Sequence, residues 1–118
     1  MKYFIQINLG PKARDWRSLS DDEQKAIAAG YQLINQTPGV TPAGVQLQPP
    51  EAAVTVRVAD GVTQTTEGPL VATDDALDGY FTYEGESLED AIEVAARVPA
   101  ARMGGAIEVR PIVEWSAA

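Results

Sequence analysis

The sequence predicts an α+β fold in which an antiparallel sheet carries two helices on one face. Short segments with two-residue alternation, typical of strands, recur along the chain. A two-residue turn joins the clearest pair of them. Two segments have helical periodicity, and each opens with a serine suited to cap a helix. The predicted order of elements is β-α-β-β-β-β-α-β.

The first strand is predicted at "KYFIQIN", because its side chains alternate between two faces. The alternation places Tyr3, Ile5 and Ile7 on one face of the strand. It places Phe4, Gln6 and Asn8 on the other face. A loop follows at "LGPKARDWRSL". The second strand is predicted within "AGVQLQPP", where Pro49 and Pro50 end it.

The first helix is predicted to follow a capping box. Ser20 accepts a hydrogen bond from the amide of Glu23, and the Glu23 carboxylate accepts one from the amide of Ser20. One face of the helix should be apolar, and it carries Ile27, Tyr31 and Ile34. The helix should end before "TPG", because a proline disfavours helical geometry in the residue before it.

A hairpin is predicted next. Val54, Val56 and Val58 alternate with polar residues, and the pair Asp60-Gly61 suits a tight turn because both residue types tolerate positive φ. The return strand is predicted at Val62–Thr66. This hairpin is inserted into a plain βαββαβ arrangement, which makes the predicted protomer ferredoxin-like.

The last third of the chain is predicted to hold a strand, a helix and a strand. The strand is "GYFTYE", and the last one lies in "GGAIEVRPIVEW", where Pro111 indicates an edge position. Ser87 should cap the helix and Pro99 should end it. The buried stripe of the helix is predicted as Leu88, Ala91, Ile92 and Ala95.

Composition limits the classes of function. The chain has 118 residues, which predicts one domain over residues 1–118, and a formal net charge of −8, which argues against nucleic acid and anionic membranes as partners. It has no cysteine and no histidine, so thiol and imidazole chemistry are excluded. The start is too short and polar for a signal peptide, so we expect a cytoplasmic protein without metal or other cofactor.

Four segments together resemble the YCII-related family, and its DGPF branch most closely. They are "LSDDEQKA", "LQPP", "VTVRVADGVTQTTEGPLVATDDALDGYF" and "AARVPAARMGGAIEVRPIVEW". The resemblance runs from Met1 to Trp115. It implies a dimeric α+β barrel in which the sheets of two protomers face each other, so we expect a homodimer.

Two departures from the family pattern bear on function. The hallmark Thr-Asp-Gly-Pro-Phe reads Thr66-Glu67-Gly68-Pro69-Leu70 here, which keeps the acid but lengthens it. Enzymes of the family resemble dehydrochlorinases and use a His-Asp pair, which this histidine-free chain does not have. Members of this kind also sit beside alternative sigma factors, which implies a possible sigma factor partner in transcription.

The loop after the hairpin has two interpretations. Gly68-Pro69 either lets the chain turn toward the next strand, or borders a cleft into which Glu67 points. Three acids follow within five positions, Asp74, Asp75 and Asp78. A solvated acidic loop is favoured over a metal site, because their spacing matches no chelating loop. A short helical turn is predicted at Asp75–Leu77.

The predicted binding site is a cleft on the side of the sheet opposite the helices. Glu67 and Arg110 should face it, with Glu108, Gln46 and Gln48 as neighbours. In a facing-sheet dimer this cleft is enclosed and suits a small polar or aromatic ligand; in a monomer it is an open surface. Outside that cleft, Arg97 and Arg102 follow the second helix. They either pair with acids of the chain or bind an anionic group.

Three classes of function remain open from the sequence. The first is a module that binds a small ligand in this cleft. The second is an enzyme without cofactor or histidine, in which Glu67 or an aspartate is the base and Arg110 the electrophile. The third is an accessory protein for transcription.

Overall fold

The predicted order of elements is confirmed. The computed structural model describes residues 1–10, 15–73 and 75–115, and only the backbone of 41–43. The elements are β1 Lys2–Leu9, α1 Asp21–Asn35, β2 Val40–Gln46, β3 Val54–Ala59, β4 Val62–Glu67, β5 Ala76–Glu84, α2 Leu88–Ala96 and β6 Ala106–Pro111.

Four of the strands form one antiparallel sheet in the order β2-β5-β1-β6, which is the ferredoxin-like arrangement. Both helices pack on one face of this sheet, which we call the helix side; the opposite face is the open face. The core on the helix side includes Tyr3, Ile5 and Phe81 from the sheet and Ile34 and Val94 from the helices. No helix in the described ranges is long and apolar enough to cross a membrane.

The predicted helix caps are confirmed. The Ser20 Oγ accepts from the amide of Glu23 at 3.1 Å, and the Glu23 Oε1 accepts from the amide of Ser20 at 3.2 Å. Before α2, the Ser87 Oγ accepts from the amide of Asp90 at 3.2 Å. These bonds satisfy amides that the first turn of a helix leaves without an intrahelical partner.

The predicted helical turn at Asp75–Leu77 is wrong, because β5 begins at Ala76. The amide of Asp75 donates to the Thr73 Oγ1 at 3.2 Å, and the chain then enters the sheet directly. Asp78 therefore belongs to a strand and not to a solvated loop. Asp74 lies outside the described residues, so the predicted absence of a metal site there stays a prediction.

The predicted buried stripe of α2 is wrong at two positions. Ala91 and Ala95 are buried as expected, but Leu88 is 44% and Ile92 51% exposed. Val94 takes their place in the core. The helix is rotated so that its small residues approach the sheet closely, and its two large aliphatic residues face outward.

The hairpin formed by β3 and β4 pairs only with itself, as a separate two-stranded sheet. Its turn has the predicted positive φ angles, 51° at Asp60 and 76° at Gly61. The amide of Gly68, at φ 102°, donates to the Ala53 carbonyl at 2.7 Å and closes the base of the hairpin. We call this hairpin the arm.

Candidate functional site

A cavity of about 990 Å³ lies on the helix side, between α1 and the end of the sheet where β5 and β2 meet. This volume is at the upper end of the range of small-molecule sites. Two short 3₁₀ turns, Trp16–Ser18 and Pro50–Ala52, border it. The cavity is formed within one copy of the chain.

The walls of the cavity are mainly apolar and aromatic. Ile7 and Phe81 contribute from the sheet, Ile27 and Tyr31 from α1, and Trp16 from the loop before α1. Phe81 is buried, whereas Trp16 is 43% exposed, so its indole lies at the edge of the cavity. Such walls favour the binding of a flat apolar ring.

The position of Trp16 is fixed by the side chain of Gln24. The Gln24 Nε2 donates to the carbonyl of Trp16 at 2.9 Å and to that of Leu19 at 3.3 Å. Because Gln24 lies in the first turns of α1 and Leu19 is buried, the loop is tied to the helix on both sides of its 3₁₀ turn.

Asp78 enters the cavity because of a β-bulge. In the pairing of β1 with β5, Ile7 is opposite Gly79 but Asn8 is opposite Leu77, so Asp78 is the extra residue. Strict alternation from Tyr80 would have put Asp78 on the open face. The bulge brings it to the helix side, where it lines the cavity half-buried.

Asp78 and Tyr31 interact electrostatically across the cavity. Burial raises the pKa of the Asp78 carboxyl, because low polarity disfavours its charged form. Burial also raises the pKa of the Tyr31 hydroxyl to about 12, and the negative charge of Asp78 adds to that effect. Tyr31 is therefore a neutral hydrogen-bond donor at neutral pH, next to a carboxyl group with increased proton affinity.

The site has the chemistry to bind a hydroxylated ring. The aromatic walls provide stacking surface, the Asp78 carboxylate accepts a hydrogen bond from a ligand hydroxyl, and the Tyr31 hydroxyl donates one to a ligand oxygen. A carboxyl group whose pKa is raised by burial is also a stronger base toward such a ligand than an exposed carboxylate.

Of the residues predicted from the sequence as site residues, Gln46 alone is among the described residues that line the cavity. Gln46, at the end of β2, lines the cavity; Gln48 is exposed just after that strand. Glu67 is exposed at the end of β4, opposite Val54 in the arm. Arg97 and Arg102 are exposed after α2.

The face assignment of β6 agrees with the sequence prediction. Arg110 lies opposite Phe4 and Glu108 opposite Gln6, so all four share the open face. Within the described residues Arg110 pairs with Glu108, at 3.0 Å between Nη2 and Oε2, with the side chains 72% and 46% exposed. An exposed pair of this kind contributes little to stability.

Sequence reasoning did not place Asp78 or Tyr31 in the binding site; it weighed Asp78 as part of an acidic loop or a metal site and left the identity of a catalytic aspartate open. One signal was present in the pair Asp78-Gly79, since a glycine inside a strand pattern often marks a bulge or a close approach of two backbones. A Cβ atom at Gly79 would collide with the Val45 carbonyl of the neighbouring strand. Tyr31 was predicted on the apolar face of its helix, which is correct, but that pattern does not separate core residues from cavity residues.

The same fold occurs in a solved bacterial enzyme. It is 5-chloro-2-hydroxyhydroquinone dehydrochlorinase from Burkholderia phenoliruptrix AC1100, in complex with 2,5-dihydroxybenzoquinone. The TM-score is 0.52 at 16% sequence identity, over 98% of this chain and 96% of the enzyme. A likeness at this identity supports the fold class, a ferredoxin-like α+β protein.

The family is shown by the sequence itself. The model of the YCII-related domain matches residues 6–116, so the chain belongs to the YCII-related family. No functionally curated protein matches the sequence.

Proposed function

We propose that the protein binds a small hydroxylated aromatic or quinone-like molecule in the cavity between α1 and the sheet. The main support for this proposal is the position of the Asp78 carboxyl, which a β-bulge turns into a cavity with aromatic walls. The dehydrochlorinase with the same fold holds a ligand of this chemical class. The cavity volume of about 990 Å³ leaves room for a ring with substituents.

Binding is tested by calorimetric titration with hydroxyhydroquinone under argon. This probe is the unchlorinated parent of the compound named for the dehydrochlorinase, and its hydroxyl groups fit the Asp78 carboxylate. Asp78→Asn should weaken binding roughly ten- to hundredfold, because a hydrogen bond to a charged group contributes about 1.5–3 kcal/mol.

The matched control is Asp75→Asn. Asp75 is exposed, three positions before Asp78, and does not line the cavity. Its substitution removes the same charge from the protein and should leave the affinity for hydroxyhydroquinone unchanged. Equal losses in both variants would show that net charge, not the Asp78 site, determines binding.

A second candidate function is proton transfer on the same ligand. The raised pKa of the Asp78 carboxyl favours it, because a base works best when its pKa approaches the working pH. The carboxylate would take the proton of a ligand hydroxyl and then deliver a proton to a ring carbon, which gives the keto tautomer. It would reverse both transfers to restore the aromatic ring, while the Tyr31 hydroxyl donates a hydrogen bond to a ligand oxygen. This scheme needs no histidine.

Proton transfer is measured by NMR as exchange of ring hydrogens of hydroxyhydroquinone for deuterium in D₂O. The wild-type protein should accelerate the exchange, and Asp78→Asn should remove the acceleration even at saturating ligand. If the exchange rate with the wild-type protein equals that of the free ligand, the protein does not catalyse proton transfer on this ligand.

A contact between two copies of the chain is proposed for the open face. Phe4 and Tyr80 stack there with ring centroids 5.3 Å apart, beside the polar Gln6 and Arg110. A half-buried aromatic pair among polar groups is typical of the centre of a protein interface. Because the cavity lies within one chain, ligand binding does not depend on this contact.

A further inference from the structure

The indole of Trp16 differs from the other aromatic walls of the cavity in how it is held. Tyr31 belongs to α1 and Phe81 to β5, so a regular element fixes each of them. Trp16 lies instead in a short 3₁₀ turn, Trp16–Ser18. Because it is 43% exposed at the edge of the cavity, it retains apolar surface that a bound ring can cover.

The turn that carries Trp16 is closed by its own hydrogen bonds. The amide of Ser18 donates to the carbonyl of Asp15 at 3.0 Å, and the Ser18 Oγ donates to the same carbonyl at 2.7 Å. The amide of Leu19 donates to the carbonyl of Trp16 at 3.1 Å. These bonds shape the turn, but they join only residues 15–19. The orientation of the turn toward the cavity depends on contacts with other parts of the chain.

One such contact comes from the side-chain amide of Gln24, in the first turns of α1. Its Nε2 donates to the carbonyl of Trp16 at 2.9 Å and to that of Leu19 at 3.3 Å. The two N–H groups of the amide are thereby both used. Because Leu19 is 6% exposed, the turn is held between a buried side chain and a regular helix.

Gln24 also lies in line with the helical wall of the cavity. Gln24, Ile27 and Tyr31 are spaced three and four residues apart, which puts them in one row along α1. Ile27 and Tyr31 line the cavity, whereas Gln24, one turn before Ile27, does not. The bond from Gln24 therefore holds Trp16 beside the N-terminal end of the row that forms this wall.

We propose that Trp16 stacks on the ring of the ligand and that Gln24 is its positioning residue, so that Gln24 controls affinity without contacting the ligand. This inference rests on the proposed function and names the wall that covers the ring. The stack fixes one face of a planar ring, while Asp78 and Tyr31 provide hydrogen bonds to its substituents. An indole that is already held in place costs less conformational entropy to order on binding than a free one.

The first test is calorimetric titration of the variants with hydroxyhydroquinone under argon. Trp16→Ala should weaken binding roughly tenfold, because stacking and covered apolar surface are lost together. Trp16→Phe keeps a flat ring of smaller area and should lose less affinity. Gln24→Leu retains a side chain of similar size without a donor. It should weaken binding severalfold, although this residue does not line the cavity.

The fluorescence of Trp16 separates positioning from a general loss of stability. The chain has two tryptophans, so Trp115→Phe, at a position that is 90% exposed, leaves Trp16 as the only one. In this background and without ligand, Gln24→Leu should shift the Trp16 emission to longer wavelength and increase its quenching by acrylamide, because the indole is released toward water. The matched control is Gln32→Leu, at an exposed position of α1 that does not line the cavity. It should change neither emission nor affinity.

The results distinguish this inference from the proposed function. If the wild-type protein does not bind hydroxyhydroquinone, the proposed function fails and this inference fails with it. If the wild-type protein binds and Trp16→Ala binds equally well, only the inference is overturned. It is also overturned if Gln24→Leu changes the Trp16 emission no more than Gln32→Leu does, or if Gln24→Leu changes the emission and leaves the affinity unchanged.

Discussion

At Asp78, burial in the cavity raises the pKa of the carboxyl above its ordinary value of 3.8. The folded protein therefore holds this proton more tightly than the unfolded chain does. The contribution of Asp78 to the free energy of unfolding is greatest below the pKa that its carboxyl has in the unfolded chain. This contribution is lost as the pH rises through the raised pKa of the carboxyl in the folded protein. Near neutral pH the ionised carboxylate destabilises the fold.

Asp78→Asn should consequently increase the free energy of unfolding at pH 7, because the amide has no charge to desolvate. The advantage over the wild type should shrink as the pH is lowered toward 4 and the Asp78 carboxyl is protonated. Urea unfolding of both proteins across this range measures the difference. A difference that is constant with pH would contradict the raised pKa.

The residue scale is also where sequence prediction failed most. The faces of Phe4, Gln6, Glu108 and Arg110 followed from simple alternation, which holds along regular strands. Asp78 lies at a bulge, where the register changes by one residue and alternation gives the wrong face. A single inserted residue thus moved the candidate site from the open face to the helix side.

The elements themselves were predictable because their signals are local. The capping box of α1 depends on two side chains three residues apart, and the turn of the arm on two adjacent residues. The rotation of α2 was not predictable in the same way. It depends on how closely Ala91 and Ala95 approach the sheet, which the periodicity of one helix does not reveal.

Loss of the α1 cap should have a measurable cost. Ser20→Ala removes the acceptor for the amide of Glu23 and should lower the free energy of unfolding by about 1 kcal/mol. Ser20→Asp retains an acceptor at the same position and should be close to wild type in thermal unfolding. If both variants are equally destabilised, the serine acts through something other than the cap.

The close approach of β5 and β2 beside the bulge gives a second prediction for the elements. Gly79→Ala should destabilise the protein by about 1–3 kcal/mol, because the added methyl group collides with the Val45 carbonyl and must move a backbone. The control is Gly44→Ala on β2, where the nearest atom would be 3.4 Å away, an ordinary contact. Chemical denaturation of the two variants should separate them, and equal stability would argue against this packing.

At the scale of the whole molecule, the chain is less compact than its length alone predicts. The Cα radius of gyration is 16.4 Å, whereas a compact chain of this length has a value of about 13–14 Å. The excess agrees with an arm that extends from the sheet.

Metal independence is a prediction for the whole molecule as well. The chain has no histidine or cysteine, and in the described part of the chain no group of three acidic residues could hold a metal ion. Dialysis against EDTA should leave the melting temperature unchanged. A fall of several degrees that Ca²⁺ or Mg²⁺ reverses would point to the acidic segment that contains Asp74.

The location of the ligand is the most direct test of the central claim. An NMR titration of ¹⁵N-labelled protein with hydroxyhydroquinone reports, amide by amide, which surface the ligand contacts. The cavity site predicts saturable shifts at Tyr31, Asp78 and Gly79, and none at Glu108 or Arg110 on the open face. Shifts confined to Glu108 and Arg110, or no saturable shift in any amide, would contradict the cavity as the binding site.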